Sequence, residues 1–357
     1  DLRAKLDISK LKVGFNKVFG FYIEVTKTHQ HKIPNEFIRK QTLVNSERYI
    51  TEELKSYEEK VLSAEEKILE IESKLFYELC NDVLNEKSII QENATAISLI
   101  DIYSSFAFLA IKNNYIKPNI TKDRILSIKK GRHPVVESLL PSTEKFIPND
   151  IEMDAKTNQI HLLTGPNMAG KSTYLRQLGL MVVMAQIGCF VPAKKASIGI
   201  VDKLFTRVGA SDNLAGGEST FLVEMNEASN ILNNATDNSF ILLDEVGRGT
   251  STFDGLSLAW AITEHIHNTD GIRARTIFAT HYHELTALED NLTRLENHHV
   301  EVKEFGDSIV FMRTITRGSG DKSYGIQVAK MAGLPLEVVK RAEQILEHYL
   351  NNDMVNG

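Results

Sequence analysis

Cysteine, tryptophan and proline are scarce in this chain of 357 residues, which contains two cysteines, one tryptophan and eight prolines. Two cysteines cannot supply the disulfide framework of a small secreted domain, so that class of protein is excluded. Cys80 and Cys189 have no cysteine or histidine at metal-site spacing, and we expect reduced thiols in a cytoplasmic protein. Two histidine pairs have no further cysteine or histidine at metal-site spacing, so we expect them at the surface rather than in a metal site: His29/His31 and His298/His299.

The chain also lacks a long hydrophobic run and an initiator methionine. Its longest apolar run, residues 178–191, is interrupted by glycine and shorter than the roughly 20 residues that span a bilayer, so it predicts a buried helix and no membrane partner. No signal peptide is visible at the start, Asp-Leu-Arg-Ala-Lys, and we expect a piece of a longer protein. The length leaves room for two or three domains.

Basic residues are concentrated near the N-terminus. Residues 1–50 contain ten lysines and arginines against five acids, a balance of +5, whereas the whole chain carries −6. Alternating residues around Tyr22, Ile23 and Val25 predict a small β-rich module. Its positive surface would suit phosphates rather than base edges, although an ordinary solvated face is an equal alternative on charge alone.

A phosphate-binding motif occupies residues 163–173, where an apolar run meets a helical pattern. It fits G-x-x-x-x-G-K-[ST], in which Gly165 and Gly170 let backbone N–H groups curl around a phosphate. Lys171 is expected to reach the β- and γ-phosphates and Ser172 to bind Mg²⁺. We call residues 165–173 the phosphate loop, and its predicted nucleotide contacts are Gly165, Pro166, Asn167, Met168, Ala169, Gly170, Lys171, Ser172 and Thr173.

Residues 240–245, Phe-Ile-Leu-Leu-Asp-Glu, resemble a Walker B strand. Four consecutive apolar residues indicate a strand that is buried on both faces. Asp244 is expected to hold Mg²⁺, while Glu245 points elsewhere and is placed to orient and deprotonate the attacking water. Two solvated acids at a strand end would be the alternative for an isolated Asp-Glu pair, but this pair follows a phosphate loop.

Three further segments complete the pattern. Residues 216–225 contain two glycines followed by Ser219, a good N-cap, and they predict a second helix N-terminus. This N-terminus is expected to contact the nucleotide of a second subunit. The glycine-rich loop 247–255 suits the same interface. Residues 276–281 predict a buried strand with His281 at its carboxyl end, where ligands lie in open α/β sheets.

The order of these motifs resembles the MutS family of DNA mismatch repair ATPases. The family's Ala-Thr-His-Tyr-His-Glu-Leu and Lys-Ser-Tyr-Gly segments are present, and its clamp and domain-junction motifs match residues 11–24, 39–43 and 131–137. The resemblance covers residues 11 to 349. It implies an α/β fold in which a P-loop ATPase domain of the ABC superclass follows a long-helix lever and a small β-rich clamp. The implied domains are a clamp at 1–46, a lever at 47–117, an ATPase domain at 118–318 and a C-terminal helix-turn-helix at 319–357.

The resemblance also implies roles for single residues. Asn167 would join Lys171 in stabilising the γ-phosphate, His281 would sense that phosphate, and Ser219 would act across a homodimer. Phe146 and Ile147 would pack against adenine, although a core pair is the alternative from the residues alone. Two other positions depart from the family: Arg313 replaces a frequent histidine at the adenine and Ala169 replaces a frequent glycine.

The clamp resemblance implies non-specific contact with the backbone of double-stranded DNA, which would be mismatched in the full-length protein. The candidate DNA-binding residues are Lys12, Lys17, Lys27, Arg39 and Lys40. The family's mismatch reader, a Phe-x-Glu motif, has no counterpart here, because residues 76–78 fall within a helical pattern and match by coincidence. Downstream repair proteins as partners and a cytoplasmic, nucleoid-associated location are further expectations.

Residues 47–115 contain no glycine or proline, which indicates long helices. An apolar seam at three- and four-residue spacing marks the first: Leu54, Tyr57, Val61, Ala64, Ile68, Ile71 and Leu75. Part of this seam should be exposed, or else filled by a later helix through Ile97, Leu99, Ile102, Phe106 and Leu109.

The C-terminal segment 324–349 is predicted to form two helices, and the apolar seam of the second favours dimer packing over DNA binding.

The alternative function for the whole chain is that of a MutS-like, ATP-gated clamp in recombination. A transporter or SMC-type ATPase is disfavoured by the clamp motif.

Overall fold

The computed structural model of the chain describes residues 1–141, 143–166, 169–209, 220–305, 308–320 and 324–356. The chain divides into two compact units, Asp1–Ile100 and Asp101–Gly357. Each unit has elements and a core of its own, so each is described by itself.

The first unit begins with an antiparallel sheet of four strands in the order β1-β2-β4-β3. Its elements are α1 (Leu2–Lys5), β1 (Lys12–Asn16), β2 (Gly20–Thr26), a 3-10 helix (Lys27–Lys32), β3 (Ile38–Thr42) and β4 (Ser46–Ile50). One face of the sheet packs on a small core built around Ile8, Ile23 and Tyr49. The predicted β-rich module is present, but it extends to Ile50. The helical stretch therefore starts later than residue 47, because residues 46–50 pair with β2 and β3.

Two long helices follow, α2 (Glu52–Asn85) and α3 (Lys87–Asn113). The Thr51 hydroxyl caps α2 by accepting a hydrogen bond from the Leu54 backbone N–H at 3.1 Å. Most of the predicted seam is exposed, since Tyr57, Ile68 and Leu75 each keep more than half of their surface in solvent. Within this unit the apolar side chains of α3 do not fill it, because Ile97 and Leu99 are exposed as well.

The apolar surface of α3 is unusual for its extent. Among the described residues it is the one helix long and apolar enough to cross a membrane, with a mean hydropathy of 1.7 over an 18-residue window that is 6% buried. Length and composition alone do not distinguish a membrane span from a helix that packs against a partner. The shorter run at 178–191 forms a helix only as far as Gln186 and is buried on one face, since Leu178, Met181 and Val182 are buried whereas Val183 and Ile187 are exposed.

The second unit contains two sheets. A six-stranded sheet has the order β10-β11-β12-β8-β13-β14, parallel except for the β13-β14 hairpin, and a four-stranded sheet has the order β5-β9-β6-β7. The strands are β5 (Asn119–Thr121), β6 (Ile125–Gly131), β7 (Asn149–Asp154), β8 (Ile160–Thr164), β9 (Lys195–Gly199), β10 (Leu204–Arg207), β11 (Phe240–Asp244), β12 (Arg275–Ala279), β13 (Leu295–Phe305) and β14 (Ser308–Arg317).

The second unit also contains helices. They are α4 (Pro134–Leu139), α5 (Lys171–Gln186), α6 (Thr220–Asn234), α7 (Thr252–Asn268), a 3-10 helix (His283–Asp290), α8 (Gly325–Met331) and α9 (Leu336–Asn356). Of these, α5, α6 and α7 pack on the faces of the six-stranded sheet. Alternate residues of β11 enter different cores: Phe240 and Leu242 pack with α5 and the smaller sheet, whereas Ile241 and Leu243 pack with α6 and α7. This two-sided burial explains why the central strands are continuous apolar runs.

Arg275 joins the two sheets. It is 1% exposed at the start of β12, and its guanidinium donates to four backbone carbonyls, those of Ile125, Gly199, Ile200 and Asn238. Burial lowers the pKa of Arg275 to about 10, which still leaves it charged at neutral pH. The buried cation is tolerated because carbonyl oxygens accept its hydrogen bonds and the carboxylate of Asp202 opposes the lowering of its pKa.

We expect Arg275→Met to lower the free energy of unfolding of the second unit by at least about 3 kcal/mol, since each buried carbonyl left without a donor costs about 1–3 kcal/mol. Urea unfolding followed by the fluorescence of Trp260, the only tryptophan in the chain, measures the change. The control is Arg341→Met on the exposed surface of α9, which should change stability by no more than about 0.5 kcal/mol. Equal losses in the two variants would contradict the bridging role of Arg275.

Candidate active site

Three adjacent parallel strands end at the same edge of the larger sheet. β11, β12 and β8 are neighbours in that order, with Asp244 opposite Ala279 and Ala279 opposite Leu163. The phosphate loop therefore leaves β8 beside the ends of the two other strands. Polar residues that are about 80 residues apart in sequence are brought to one edge, as expected for the carboxyl ends of an open α/β sheet.

The phosphate loop leads into α5 through two glycines with positive φ. Gly165 has φ +141° and Gly170, the N-cap of α5, has φ +102°. Lys171 is 4% exposed, and its ammonium donates to the carbonyls of Gly165 at 2.5 Å and Pro166 at 3.2 Å. Burial lowers the pKa of Lys171, against the opposing effect of nearby carboxylates. Asn167 and Met168, which were predicted to contact the nucleotide, lie outside the described residues.

Ser172 and Asp244 meet beside this lysine. Burial raises the pKa of Asp244, and a hydrogen bond with the Ser172 side chain partly offsets that rise. Asp244 Oδ1 is buried and has no hydrogen-bond partner within the described ranges. A hydroxyl and a carboxylate with a spare oxygen are ligands that Mg²⁺ prefers, and a bound cation would satisfy the oxygen that now lacks a partner. The residues present therefore fit a magnesium ion.

Glu245 has an uncommon backbone conformation at the end of β11. Its φ is +53°, a left-handed value that non-glycine residues rarely adopt, and its N–H donates to the Ala279 carbonyl at 2.8 Å. Its carboxylate accepts a hydrogen bond from Arg248 at 2.6 Å. Sequence reasoning missed Arg248, because an exposed arginine in a glycine-rich loop has no distinctive spacing.

The loop after β11 is held by close backbone packing. Gly247 has φ +93°, and a Cβ on Gly255 would lie 2.1 Å from the Gly247 carbonyl oxygen, so neither position accepts a larger residue without movement. The Tyr282 hydroxyl donates to the same carbonyl at 3.0 Å. The Gly247 N–H donates to Glu224, a buried carboxylate on α6. Sequence analysis assigned these glycines to an interface; the structure shows an intramolecular requirement for them.

Glu224 is part of a buried charge network that sequence analysis also missed. Arg207, 9% exposed at the end of β10, lies 3.7 Å from Glu224 and 2.9 Å from Glu227. This network could have been inferred from two features of the sequence. One is the Glu-x-x-Glu spacing within a predicted helix, and the other is an arginine at the end of a strand. Ser219, predicted to cap α6, lies outside the described residues, and α6 is described from Thr220.

His281 is two residues beyond the strand that was predicted to contain it, because β12 ends at Ala279. Its ring is 4.2 Å from that of Tyr282. Partial burial lowers the pKa of His281, and the Glu245 carboxylate opposes that shift. His281 shares a cavity with Gly165 and Pro166, so it stands beside the phosphate loop.

A second cavity lies on the other side of the loop. Phe146, Ile147 and Arg313 line it together with Ala169 and Thr173, and its volume is about 260 Å³. The structure thus brings together, in one cavity, the residues assigned to the base.

The backbone that carries Arg313 is fixed by a single side chain. Arg313 has φ +55°, and Asn149 brackets it by donating to the Arg313 carbonyl at 2.9 Å and accepting from the Ile315 N–H at 2.8 Å. Asn149 is a further residue that sequence reasoning missed.

The five candidate DNA-binding residues of the first unit are all exposed. Lys12 is on the edge strand β1, whereas Arg39 and Lys40 are on the opposite edge strand β3. Lys17 lies in the β1-β2 turn and Lys27 follows β2. The structure therefore distributes these cations around the sheet rather than along one line.

The prediction that His298/His299 is a surface pair is wrong for His298. Its side chain is 15% exposed, because β13 is an internal strand flanked by β8 and β14. Burial lowers the pKa of His298 to about 4. His299 is half-buried and hydrogen-bonds to the Gly318 carbonyl at 2.9 Å.

Comparison with known proteins agrees with this geometry. Residues 161–350 match the family model described as MutS domain V, and residues 1–67 match MutS family domain IV. The DNA mismatch repair protein MutS of Salinibacter ruber is 57% identical over 344 residues, which cover 96% of this chain and 38% of that protein.

Two further relatives carry the same name. The protein of Thermodesulfovibrio yellowstonii is 58% identical over 96% of this chain and 41% of its own length, and that of Clostridium botulinum strain Langeland is 59% identical over 97% of this chain and 37% of its own length. The chain thus spans about two fifths of the curated relatives it matches. With one family model matched over more than half of its residues and a second at its N-terminus, the chain belongs to the MutS family.

Proposed function

We propose that this chain is the ATP-hydrolysing and DNA-gripping part of a DNA mismatch repair protein, in which the nucleotide state controls the grip on DNA. The observation that carries the proposal is that Lys171, Ser172 and Asp244 lie together at adjacent strand ends. One oxygen of the Asp244 carboxylate is buried there and has no hydrogen-bond partner among the described residues. The names of the 55–59% identical relatives support repair as the context. They do not favour a clamp that acts in recombination.

The residues of this site have distinct tasks in the proposed reaction. Ser172 and Asp244 would hold Mg²⁺, which supplies charge neutralisation on the phosphate oxygens. Lys171 would exchange the carbonyls of Gly165 and Pro166 for the γ-phosphate, assisted by Asn167. Phe146, Ile147 and Arg313 would enclose the adenine in the second cavity.

Hydrolysis is the attack of water on the γ-phosphorus. The bond from that phosphorus to the bridging oxygen breaks, and ADP and inorganic phosphate leave. Glu245 would orient the water and accept its proton once its carboxylate is released from Arg248. His281, beside the phosphate loop, would sense the presence of the γ-phosphate.

A homodimer would complete the site. Ser219 precedes α6 and would reach the nucleotide of the second subunit, while α8 and α9 would pack on that subunit. Exposed apolar residues of α9 support this packing, namely Leu336, Val338, Ile345 and Leu346.

The first unit would contact the DNA backbone through its exposed cations, and α2 and α3 would act as a lever. The exposed apolar seams of both helices support a further arm that covers them. Downstream repair proteins are proposed as partners, and the nucleoid of the cytoplasm as the location.

Glu245→Gln tests the assignment of the base, because it keeps the shape of the side chain and removes its charge. We expect nucleotide binding to persist while steady-state ATP turnover falls by at least about 10²-fold, the usual contribution of a general base. Glu284→Gln, an exposed carboxylate three residues beyond His281, is the matched control and should retain turnover. Unchanged turnover in Glu245→Gln would refute the assignment.

Sedimentation of Glu245→Gln with Mg-ATP tests the dimer. We expect ATP to shift the protein towards dimers, and a second change, Ser219→Ala, to weaken that shift without abolishing nucleotide binding. Ser98→Ala on the exposed surface of α3 serves as the control. A monomer with full ATPase activity at every protein concentration would contradict the proposal.

DNA binding by these 357 residues should depend steeply on salt and should not discriminate a G·T mismatch from a matched duplex, because phosphate contacts carry no sequence information. We expect dissociation constants on the order of 10⁻⁴–10⁻⁶ M at physiological salt. Lys40→Gln should reduce the salt slope by about one, whereas Lys194→Gln in the second unit should not. A clear mismatch preference in equilibrium titrations would reveal a reader element within these residues.

A further inference from the structure

Three potential metal ligands face one another near the amino ends of two strands of the larger sheet, away from the carboxyl ends that form the candidate active site. His161 is in β8, and Glu296 and His298 are in the adjacent parallel strand β13. Glu296 is the register partner of His161, and His298 is two residues further along the same strand. Since side chains alternate between the faces of a strand, all three project from the same face. One ligand atom from each lies within 4.8 Å of the others.

The two imidazoles are buried without hydrogen-bond partners at one nitrogen each. His161 is 4% exposed, and neither its Nε2 nor that of His298 has a partner among the described residues. The rings stack with centroids 4.0 Å apart and an angle of 25° between their planes. Buried polar atoms are normally satisfied, so two orphaned nitrogens side by side call for an occupant. Burial lowers the pKa of both rings, which keeps them neutral and able to ligate.

Glu296 supplies a carboxylate that is already oriented. Its Oε2 accepts a hydrogen bond from Asn158 at 2.9 Å and lies 3.6 Å from His298 Nε2. Its Oε1 pairs with Arg317 at 3.1 Å, and the Arg317 side chain is 70% exposed. Partners that hold a ligating carboxylate in this way are typical of the surroundings of metal sites.

We propose that His161, Glu296 and His298 form a binding site for a divalent transition metal, with Zn²⁺ as the best fit. Two neutral imidazoles and one carboxylate are a common zinc ligand set, whereas Mg²⁺ and Ca²⁺ prefer oxygen ligands alone. The site is therefore chemically distinct from the Ser172 and Asp244 pair. Three protein ligands leave a fourth position for water.

Binding requires a small local adjustment. Ligand atoms on a tetrahedral zinc ion lie about 3.3 Å apart, given zinc–nitrogen distances of about 2.0–2.1 Å. The stacked rings must tilt so that their lone pairs converge, and Arg317 can turn into solvent as the cation takes its place beside Glu296. The bound ion would link β8 to β13 four residues before Gly165, and so would fix the strand that carries the phosphate loop.

Calorimetric titration of the nucleotide-free chain with ZnCl₂ tests the site, with excess MgCl₂ present to occupy oxygen ligands. We expect one Zn²⁺ per chain. His161→Gln and His298→Gln should each abolish binding or weaken it by at least about 10-fold. His265→Gln, an exposed histidine on α7, is the matched control, and Asp244→Asn shows whether the ion binds at the proposed magnesium ligands instead. Circular dichroism checks that each variant is folded.

The wild-type chain offers a second readout if a glutamine variant does not fold. Loading with Co²⁺ should give the intense visible absorption of a four-coordinate ion with nitrogen ligands. The proposal is overturned by absence of binding, by equal Zn²⁺ affinity in the folded ligand variants, by loss of binding in Asp244→Asn alone, or by the weak spectrum of six-coordinate Co²⁺. Any of these results would leave His161 and His298 as a stacked pair with a structural role.

Discussion

The parallel pairing of β11, β12 and β8 is the constraint on which the candidate active site depends. Parallel strands end at one edge, so this pairing alone brings the phosphate loop, Asp244 and the segment after Ala279 together. The pairing is stabilised by burial on both faces, with Phe240 and Ile241 in different cores. A shift in register would separate the lysine from the two acids and expose alternate residues to the wrong core.

Buried charges around this edge are compensated in different ways. Lys171 is held by the carbonyls of its own loop, Arg207 by carboxylates of α6, and Arg275 by carbonyls of the smaller sheet and of residues outside the strands. Asp244 also has one buried oxygen without a hydrogen-bond partner among the described residues, and that oxygen lies beside the Ser172 hydroxyl at the candidate magnesium site. Uncompensated buried groups cost free energy, and they concentrate where a ligand can satisfy them. By the same argument His161 and His298 call for an occupant.

The first unit is stabilised differently. Its sheet has a compact core around Ile23 and Tyr49, but α2 and α3 expose apolar residues along their length. Gly20, with φ +76°, lies so close to Glu58 of α2 that a Cβ would collide with its carboxylate, and the Phe21 N–H donates to Glu58 at 3.2 Å. The sheet is thus anchored to one end of a helix whose remaining apolar surface is exposed.

Local sequence determined much of this protein. The phosphate loop, the buried strands around Phe240 and Ile277, and the long helices follow from glycine spacing and from apolar runs or seams, which act over a few residues. The Walker B pattern predicted the role of Glu245, and family resemblance added the roles of Phe146 and Ile147 at the base. The structure locates His281 beside the phosphate loop and Phe146 in the neighbouring cavity without testing those roles.

The tertiary structure alone decided what depends on contacts between distant segments. The bracketing of Arg313 by Asn149 and the carbonyl cage of Arg275 arise from strand order and register, which leave no signature in local spacing. His298 was expected at the surface because histidine pairs usually are; its place in an internal strand buries it beside His161. His161 and His298 are 137 positions apart in sequence and are neighbours because β13 pairs with β8. That pairing is a property of the folded sheet and cannot be read from either strand alone.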